Sequence, residues 1–92
     1  MAQHWSLPGN LVAWKVKLRD KERVEPPHVT ILRGTKAWRW GLRNKTFLDR
    51  EPPVREIPGD LLKFLESHHD AFVQVWDVMY PENPVWTRKE KP

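Results

Sequence analysis

The residue best suited to acid–base chemistry in this sequence is His28, which follows Pro26-Pro27. A free imidazole titrates at about pH 6.5, so it can donate or accept a proton near neutrality. A small metal-independent ribonuclease would need such a group beside cations that hold the scissile phosphate. No second catalytic group accompanies His28 in the sequence, and a lone histidine at a strand end is more often structural. His28 is therefore a candidate catalytic residue with a structural role as its alternative.

Basic side chains form the second group with a chemical use. Five of them fall on one side of two predicted strands: Lys15, Lys17, Arg19, Arg39 and Arg43. Lys and Arg clustered on one surface are typical of proteins that bind the phosphates of RNA or DNA. The same pattern occurs on solvated sheet faces, where it gives solubility and protects edges. An acidic protein partner is a third explanation, and the sequence leaves all three open.

Motifs for metal or cofactor chemistry are weak or missing. The chain has no Cys, which excludes disulfides, thiolate zinc sites and cysteine nucleophiles. His68 and His69 are adjacent, and neighbouring helical side chains diverge by about 100°, so the pair cannot readily chelate one metal ion. No phosphate-binding glycine loop or Ser-His-Asp order is present. We therefore predict no metal site and no cofactor.

The strands that position the cations follow from alternation of apolar and polar residues. Residues 11–19 alternate throughout and predict one strand. Residues 28–33 and 36–43 predict two more, joined by a tight turn at Gly34-Thr35. Residues 46–49 could add a short edge strand. The three or four strands would form an antiparallel meander.

Two tryptophans in the third of these strands decide how its faces are used. Trp38 and Trp40 point to one side, and Arg39 and Arg43 to the other. Interleaved aromatic and basic residues suggest a stacking surface for bases. However, two adjacent indoles on the apolar side are a large hydrophobic group, so we predict that they are core residues beneath a helix. Only the cations then remain as functional candidates.

A single amphipathic helix is predicted from Pro58 to Tyr80, and Pro81 stops it. Its apolar stripe would pack on one face of the sheet, and its acidic side would face solvent. The predicted architecture is an α+β domain: an antiparallel three- to four-stranded meander with one helix on one face. Residues 1–10 are predicted as an irregular lead-in, 11–81 as the single domain and 82–92 as a flexible basic tail. Within that tail, Val85-Trp86 could dock back onto the core.

Charge is divided unevenly along the chain. Residues 9–50 carry a net +7 and residues 51–82 a net −5. In the predicted architecture these charges lie on opposite sides of the molecule. Screening beyond about 8 Å would then prevent mutual neutralisation. This placement favours a basic surface that is available to a partner.

The order of motifs resembles a small bacterial domain family of unknown function whose members read Pro-Pro-His-x-His, then a hairpin, then a proline-started helix. Pro26, Pro27 and His28 match the opening, Gly34 falls at the hairpin, and Pro58, Leu61 and Trp76 fit the helix. Thr30 replaces the second histidine, so a role that needs both imidazoles is in doubt. The resemblance covers about residues 11–78. It implies a compact meander plus helix, and a partner gene in an arrangement like a toxin–antitoxin pair.

Together these features predict a nucleic-acid-binding or regulatory module that uses the basic sheet face. The alternatives are a protein-interaction module with a small protein partner and, third, a ribonuclease with His28 as acid or base. The N-terminus shows no signal-peptide pattern and no apolar run could span a bilayer, which predicts a cytoplasmic protein without membrane contact. We expect a monomer or a weak homodimer formed through a sheet edge.

Overall fold

The computed structural model describes residues 3–5, 7–18 and 26–86, and of Gln3 and His4 it describes the backbone only. Four strands form one antiparallel sheet in chain order: β1 (Gln3–Trp5), β2 (Lys15–Leu18), β3 (His28–Arg33) and β4 (Lys36–Gly41). Short 3-10 helices cover Gly9–Leu11 and Val54–Glu56. The α+β class and the antiparallel sheet are confirmed.

The helical region contains two helices, α1 (Gly59–Ser67) and α2 (His69–Met79), so the prediction of one helix is wrong. His68 separates them with φ −105° and ψ 8°. Its ring stacks on that of Phe64 with centroids 4.0 Å apart. Its Nδ1 lies 3.0 Å from the Phe64 carbonyl oxygen, which also accepts the Ser67 hydroxyl. Side chains that bond to nearby backbone compete with regular helix geometry, and apolar periodicity does not report this competition.

The first predicted strand is shorter than its alternation indicated. Leu11 donates its N–H to the Pro8 carbonyl at 2.8 Å, and Trp14 donates to Leu11 at 2.9 Å, so residues 9–14 turn before β2 begins. Val12, expected to be in the strand, is 79% exposed. The Pro8-Gly9-Asn10 sequence favours this turn over an extended chain. Alternation alone could not place the start of the strand.

The β3–β4 hairpin turns at Gly34. Its φ of 58° lies in the left-handed region, which glycine adopts readily because it has no β-carbon. Strand β4 ends at Gly41 and does not reach Arg43. Residues 46–49 do not form the predicted edge strand. An isolated bridge pairs Trp40 with Phe47, and the Gly41 and Leu48 N–H groups donate to the Thr46 and Arg39 carbonyls, respectively. A β-carbon on Gly41 would lie 3.0 Å from the Thr46 carbonyl oxygen, so the close approach of this segment requires glycine.

The ends of the described chain belong to the fold more than the sequence indicated. Residues Gln3–Trp5 pair with β2, although residues 1–10 were predicted to be irregular. Val85 is completely buried and Trp86 packs against the core, which is the docking that the sequence left open for these two residues of the predicted tail. The remainder of that predicted tail, residues 87–92, lies outside the described residues.

One face of the sheet, which we call the covered face, holds the core. Its tryptophans Trp38 and Trp40 are 1% and 3% exposed, so their predicted burial is confirmed. Phe72 of α2 lies edge-on to Trp5 at 4.7 Å and to Trp40 at 6.3 Å between ring centroids. These contacts place α2 directly on the covered face. No helix among the described residues is long and apolar enough to cross a membrane.

Candidate functional site

The opposite face of the sheet, the outer face, carries most of the cations predicted to bind a partner. Strand register places its side chains in two rows across β2, β3 and β4: Lys15, Leu32 and Ala37 in one, and Lys17, Thr30 and Arg39 in the other. Because successive strand residues point to opposite faces, these six side chains share the face opposite Val16, Ile31 and Trp38. The predicted sorting of cations and tryptophans onto two faces is therefore present in this region.

Lys15 and Lys17 carry the charge that is available on the outer face. Lys15 is exposed and Lys17 is half-buried. Neither makes an ion pair with any residue in the part of the chain that the structure describes. Lying two residues apart on one strand, the two side chains stand about 6.7 Å apart along it. They form a compact positive pair.

Arg39 lies on the outer face, but a carboxylate holds its guanidinium. Its Nε and one terminal nitrogen donate to the two oxygens of Asp49, both at 2.8 Å. These hydrogen bonds lower the pKa of the Asp49 carboxyl against the opposing effect of partial burial, and the charges of Arg39 and His28 lower it further. Asp49 therefore stays ionised and largely neutralises Arg39. A partner's phosphate would have to compete with this pair.

Arg43 serves the fold through backbone contacts. Its Nε donates to the Val85 carbonyl at 2.6 Å and a terminal nitrogen donates to the Pro84 carbonyl at 3.0 Å. Each of these bonds joins residues more than forty positions apart in the chain. The guanidinium thus holds the C-terminal segment against the end of the sheet. Arg19, the remaining predicted cation, lies outside the described residues.

The two oppositely charged parts of the chain also contact each other directly. Lys36 pairs with Glu56, and Lys45 lies 3.4 Å from a Glu66 carboxylate oxygen. The prediction that acidic and basic residues lie too far apart to interact is therefore wrong for these pairs. All four side chains are substantially exposed, so each pair contributes little to stability. They do reduce the positive charge available to a partner.

His28, the candidate catalytic residue, is only 2% exposed. Its Nδ1 donates to the Pro26 carbonyl at 2.8 Å, and its ring centroid lies 5.7 Å from that of Trp76. Alternation along β3 puts residue 28 on the same side as Thr30, but its ring contacts Trp76 of α2. A general acid or base must reach the substrate proton within hydrogen-bond distance. Catalysis by His28 would therefore require this region to open.

The histidine pair in the helical region also has structural contacts. His69 is 6% exposed, and its Nε2 donates to the Leu42 carbonyl at 2.7 Å. This bond links the start of α2 to the end of β4. His68 contacts its own helix, as described above. Among the described residues, no three His, Cys, Asp or Glu side chains cluster closely enough to hold a metal ion.

Two arrangements at the surface were missed in the sequence. One is the Arg39–Asp49 pair. Residues 46–49 were assigned to a regular edge strand, and this assignment gave no clear signal that Asp49 would pair with Arg39. The other is a cleft beside the hairpin turn, where Arg33 lies over the Trp14 ring at 5.2 Å. The basic residues on both sides of Gly34-Thr35 were a signal for the second arrangement.

No protein-family model, curated protein or solved structure matches the chain significantly. The resemblance to the Pro-Pro-His-x-His family therefore stays a prediction.

Proposed function

We propose that the protein is a nucleic-acid-binding module that contacts the phosphate backbone through the outer face of its sheet. The observation that carries the proposal is the lysine pair, Lys15 and Lys17, on one face without a carboxylate partner in the described part of the chain. Cations that are not neutralised within the protein can replace the counterions around phosphates, which drives nucleic-acid binding. The net charge of +4 adds long-range attraction.

The proposed binding is independent of base sequence. The described side chains of the outer face include buried Thr30 and the more accessible Leu32 and Ala37 between the cations, and no aromatic residue that could stack on a base. Contacts from lysine to phosphate position a nucleic acid without reading its sequence. We therefore expect similar affinities for polymers of different sequence, and an affinity that depends strongly on salt.

The proposed interface is smaller than five cations. Lys15 and Lys17 form its centre, and Arg39 contributes only where a phosphate displaces Asp49 from the guanidinium. Arg43 is used by the C-terminal segment. Arg19 directly follows the last residue of β2 in the sequence, and it remains part of the proposal as a prediction.

A charge-matched pair of double variants tests the proposal. Lys15→Gln/Lys17→Gln removes two charges from the outer face, and Arg55→Gln/Lys63→Gln removes two exposed charges elsewhere. Fluorescence anisotropy with labelled single- and double-stranded oligonucleotides at low salt measures both. We expect the first variant to lose about tenfold or more in affinity and the second to change less than about twofold, because phosphate contacts are local.

Three results would contradict the proposal. Absence of binding to RNA and DNA at low salt would remove it. Equal weakening by both double variants would mean that net charge acts without a defined surface. Unchanged binding by the outer-face variant would place the interface elsewhere. In each case thermal unfolding of the variants shows whether they remain folded.

A further inference from the structure

A second site lies at the turn of the β3–β4 hairpin, on the side of the sheet that the helices cover. Here the turn, Trp14 and the 3-10 helix Val54–Glu56 surround a cleft of about 490 Å³. This volume lies within the range of small-molecule sites, about 300–1,000 Å³. The nearly buried indoles of Trp14 and Trp38 contribute to its wall. The cleft uses neither Lys15 nor Lys17.

Two cations line this cleft side by side on the hairpin. Arg33 and Lys36 are direct partners in the register of β3 and β4. Like charges directly opposite each other destabilise a strand pair unless something compensates them. Glu56 compensates Lys36 by an ion pair. Arg33 is exposed and makes no ion pair with the residues that the structure describes.

The Trp14 ring positions the Arg33 guanidinium. Its central carbon lies 5.2 Å from the ring centroid, which is within the range of a cation–π contact. Such a contact restricts the guanidinium while leaving its N–H groups able to donate. A restricted donor loses less conformational freedom when it binds an oxyanion. The cleft therefore combines an oriented guanidinium, a second cation and an apolar wall.

We propose that this cleft binds a small organic anion, in which one carboxylate or phosphate is joined to an apolar body. The oxyanion accepts hydrogen bonds from Arg33, and its charge offsets the repulsion between Arg33 and Lys36. The apolar body lies in the cleft against Trp14 and Trp38, which form its wall although their rings are nearly buried. Glu56 opposes binding, because its carboxylate competes with the anion for Lys36. This site is separate from the proposed nucleic-acid interface.

Titration with phenyl phosphate, benzoate and inorganic phosphate at low salt tests the site, with the indole N–H signal of Trp14 followed by NMR. We expect both organic anions to shift this signal, and phenyl phosphate to bind more tightly than inorganic phosphate. Arg33→Gln should weaken binding about tenfold, since it removes a charge-assisted donor. Arg50→Gln, which removes an exposed arginine outside the cleft, should leave binding unchanged.

Glu56→Gln provides a test with the opposite sign. It releases Lys36 to the anion, so we expect the affinity to rise several-fold. Arg33→Lys retains the charge and controls for a loss of folding in Arg33→Gln. No shift of the Trp14 signal with any probe, or weaker binding by Glu56→Gln, would overturn the proposal. Lys15→Gln/Lys17→Gln should bind the small anions normally, so failure of this site and failure of the nucleic-acid interface are distinguishable.

Discussion

The two faces of the sheet are stabilised by different kinds of contact. The covered face is closed by aromatic and aliphatic packing: Ile31 is completely buried, and Trp40 lies against Phe72 of α2. The outer face carries Lys15, Lys17 and the Arg39–Asp49 ion pair, and Thr30 at its centre is buried. Apolar packing contributes more stability than ion pairs that are about one third exposed. Folding therefore depends mainly on the covered face, and the outer face is the one that we propose to bind a partner.

Substitutions at two adjacent residues in β3 should show the largest difference in stability between the two faces. Ile31 lies on the covered face and Leu32, which is half-buried, lies on the outer face. Ile31→Ala should lower the free energy of unfolding by about 2–5 kcal/mol, because it leaves a cavity in the core. Leu32→Ala should lower it by about 1 kcal/mol or less, because solvent already reaches this side chain. Urea unfolding measures both. Equal losses would contradict the division between the two faces.

Gly41 tests how tightly the segment after β4 is held against the sheet. Gly41→Ala places a methyl group 3.0 Å from the Thr46 carbonyl oxygen and 3.2 Å from a Leu48 methyl carbon. Backbone must move to relieve the first contact, so we expect a loss of about 1–3 kcal/mol in unfolding free energy. Gly59→Ala is the matched control, since a β-carbon there meets no atom within 4 Å. A neutral Gly41→Ala would show that this segment is not packed against β4.

The ion pair on the outer face should have the smallest effect, and that effect should depend on pH. Because the folded-state pKa of Asp49 is lowered, ionisation stabilises the fold above the unfolded-state pKa of about 3.9. This contribution is lost as the pH falls through the lower, folded-state pKa. After allowance for solvent screening, it should be about 1 kcal/mol or less.

Asp49→Asn measures this effect when unfolding is followed from pH 7 down to pH 2. The difference in unfolding free energy between wild type and variant should be constant above about pH 5 and shrink in more acidic solution. Glu66→Gln, which breaks a more exposed pair, should show a smaller difference. A difference that grows on acidification would contradict the assigned pairing.

Regular patterns predicted much of the covered face. Alternation through Trp38 and Trp40 indicated their burial because strands have a period of two residues. The 3.6-residue period of apolar residues located the helical region. This period continues through His68, so it could not indicate the break that side-chain contacts produce there. The pairing of Gln3–Trp5 depends on a register with β2 that no local signal specifies.

The candidate site was less predictable because it depends on contacts between distant residues. Lys15 and Lys17 could be placed together, since both lie on one strand. The partners of Arg39 and Arg43 could not be identified, because a guanidinium is satisfied by whichever acceptor the tertiary structure supplies. Asp49 and the Val85 carbonyl lie ten and forty-two residues away, respectively. Sequence alone therefore overstated the number of available cations.

The most direct test of the central claim is the salt dependence of nucleic-acid binding, measured for wild type and for Lys15→Gln/Lys17→Gln. The logarithm of the binding constant falls with the logarithm of salt concentration by about 0.9 per phosphate contact on duplex DNA. Removal of two contacts should therefore make the slope shallower by about 1.8. The Arg55→Gln/Lys63→Gln control should keep the wild-type slope. Equal slopes for wild type and the outer-face variant would contradict the assignment of binding to this face.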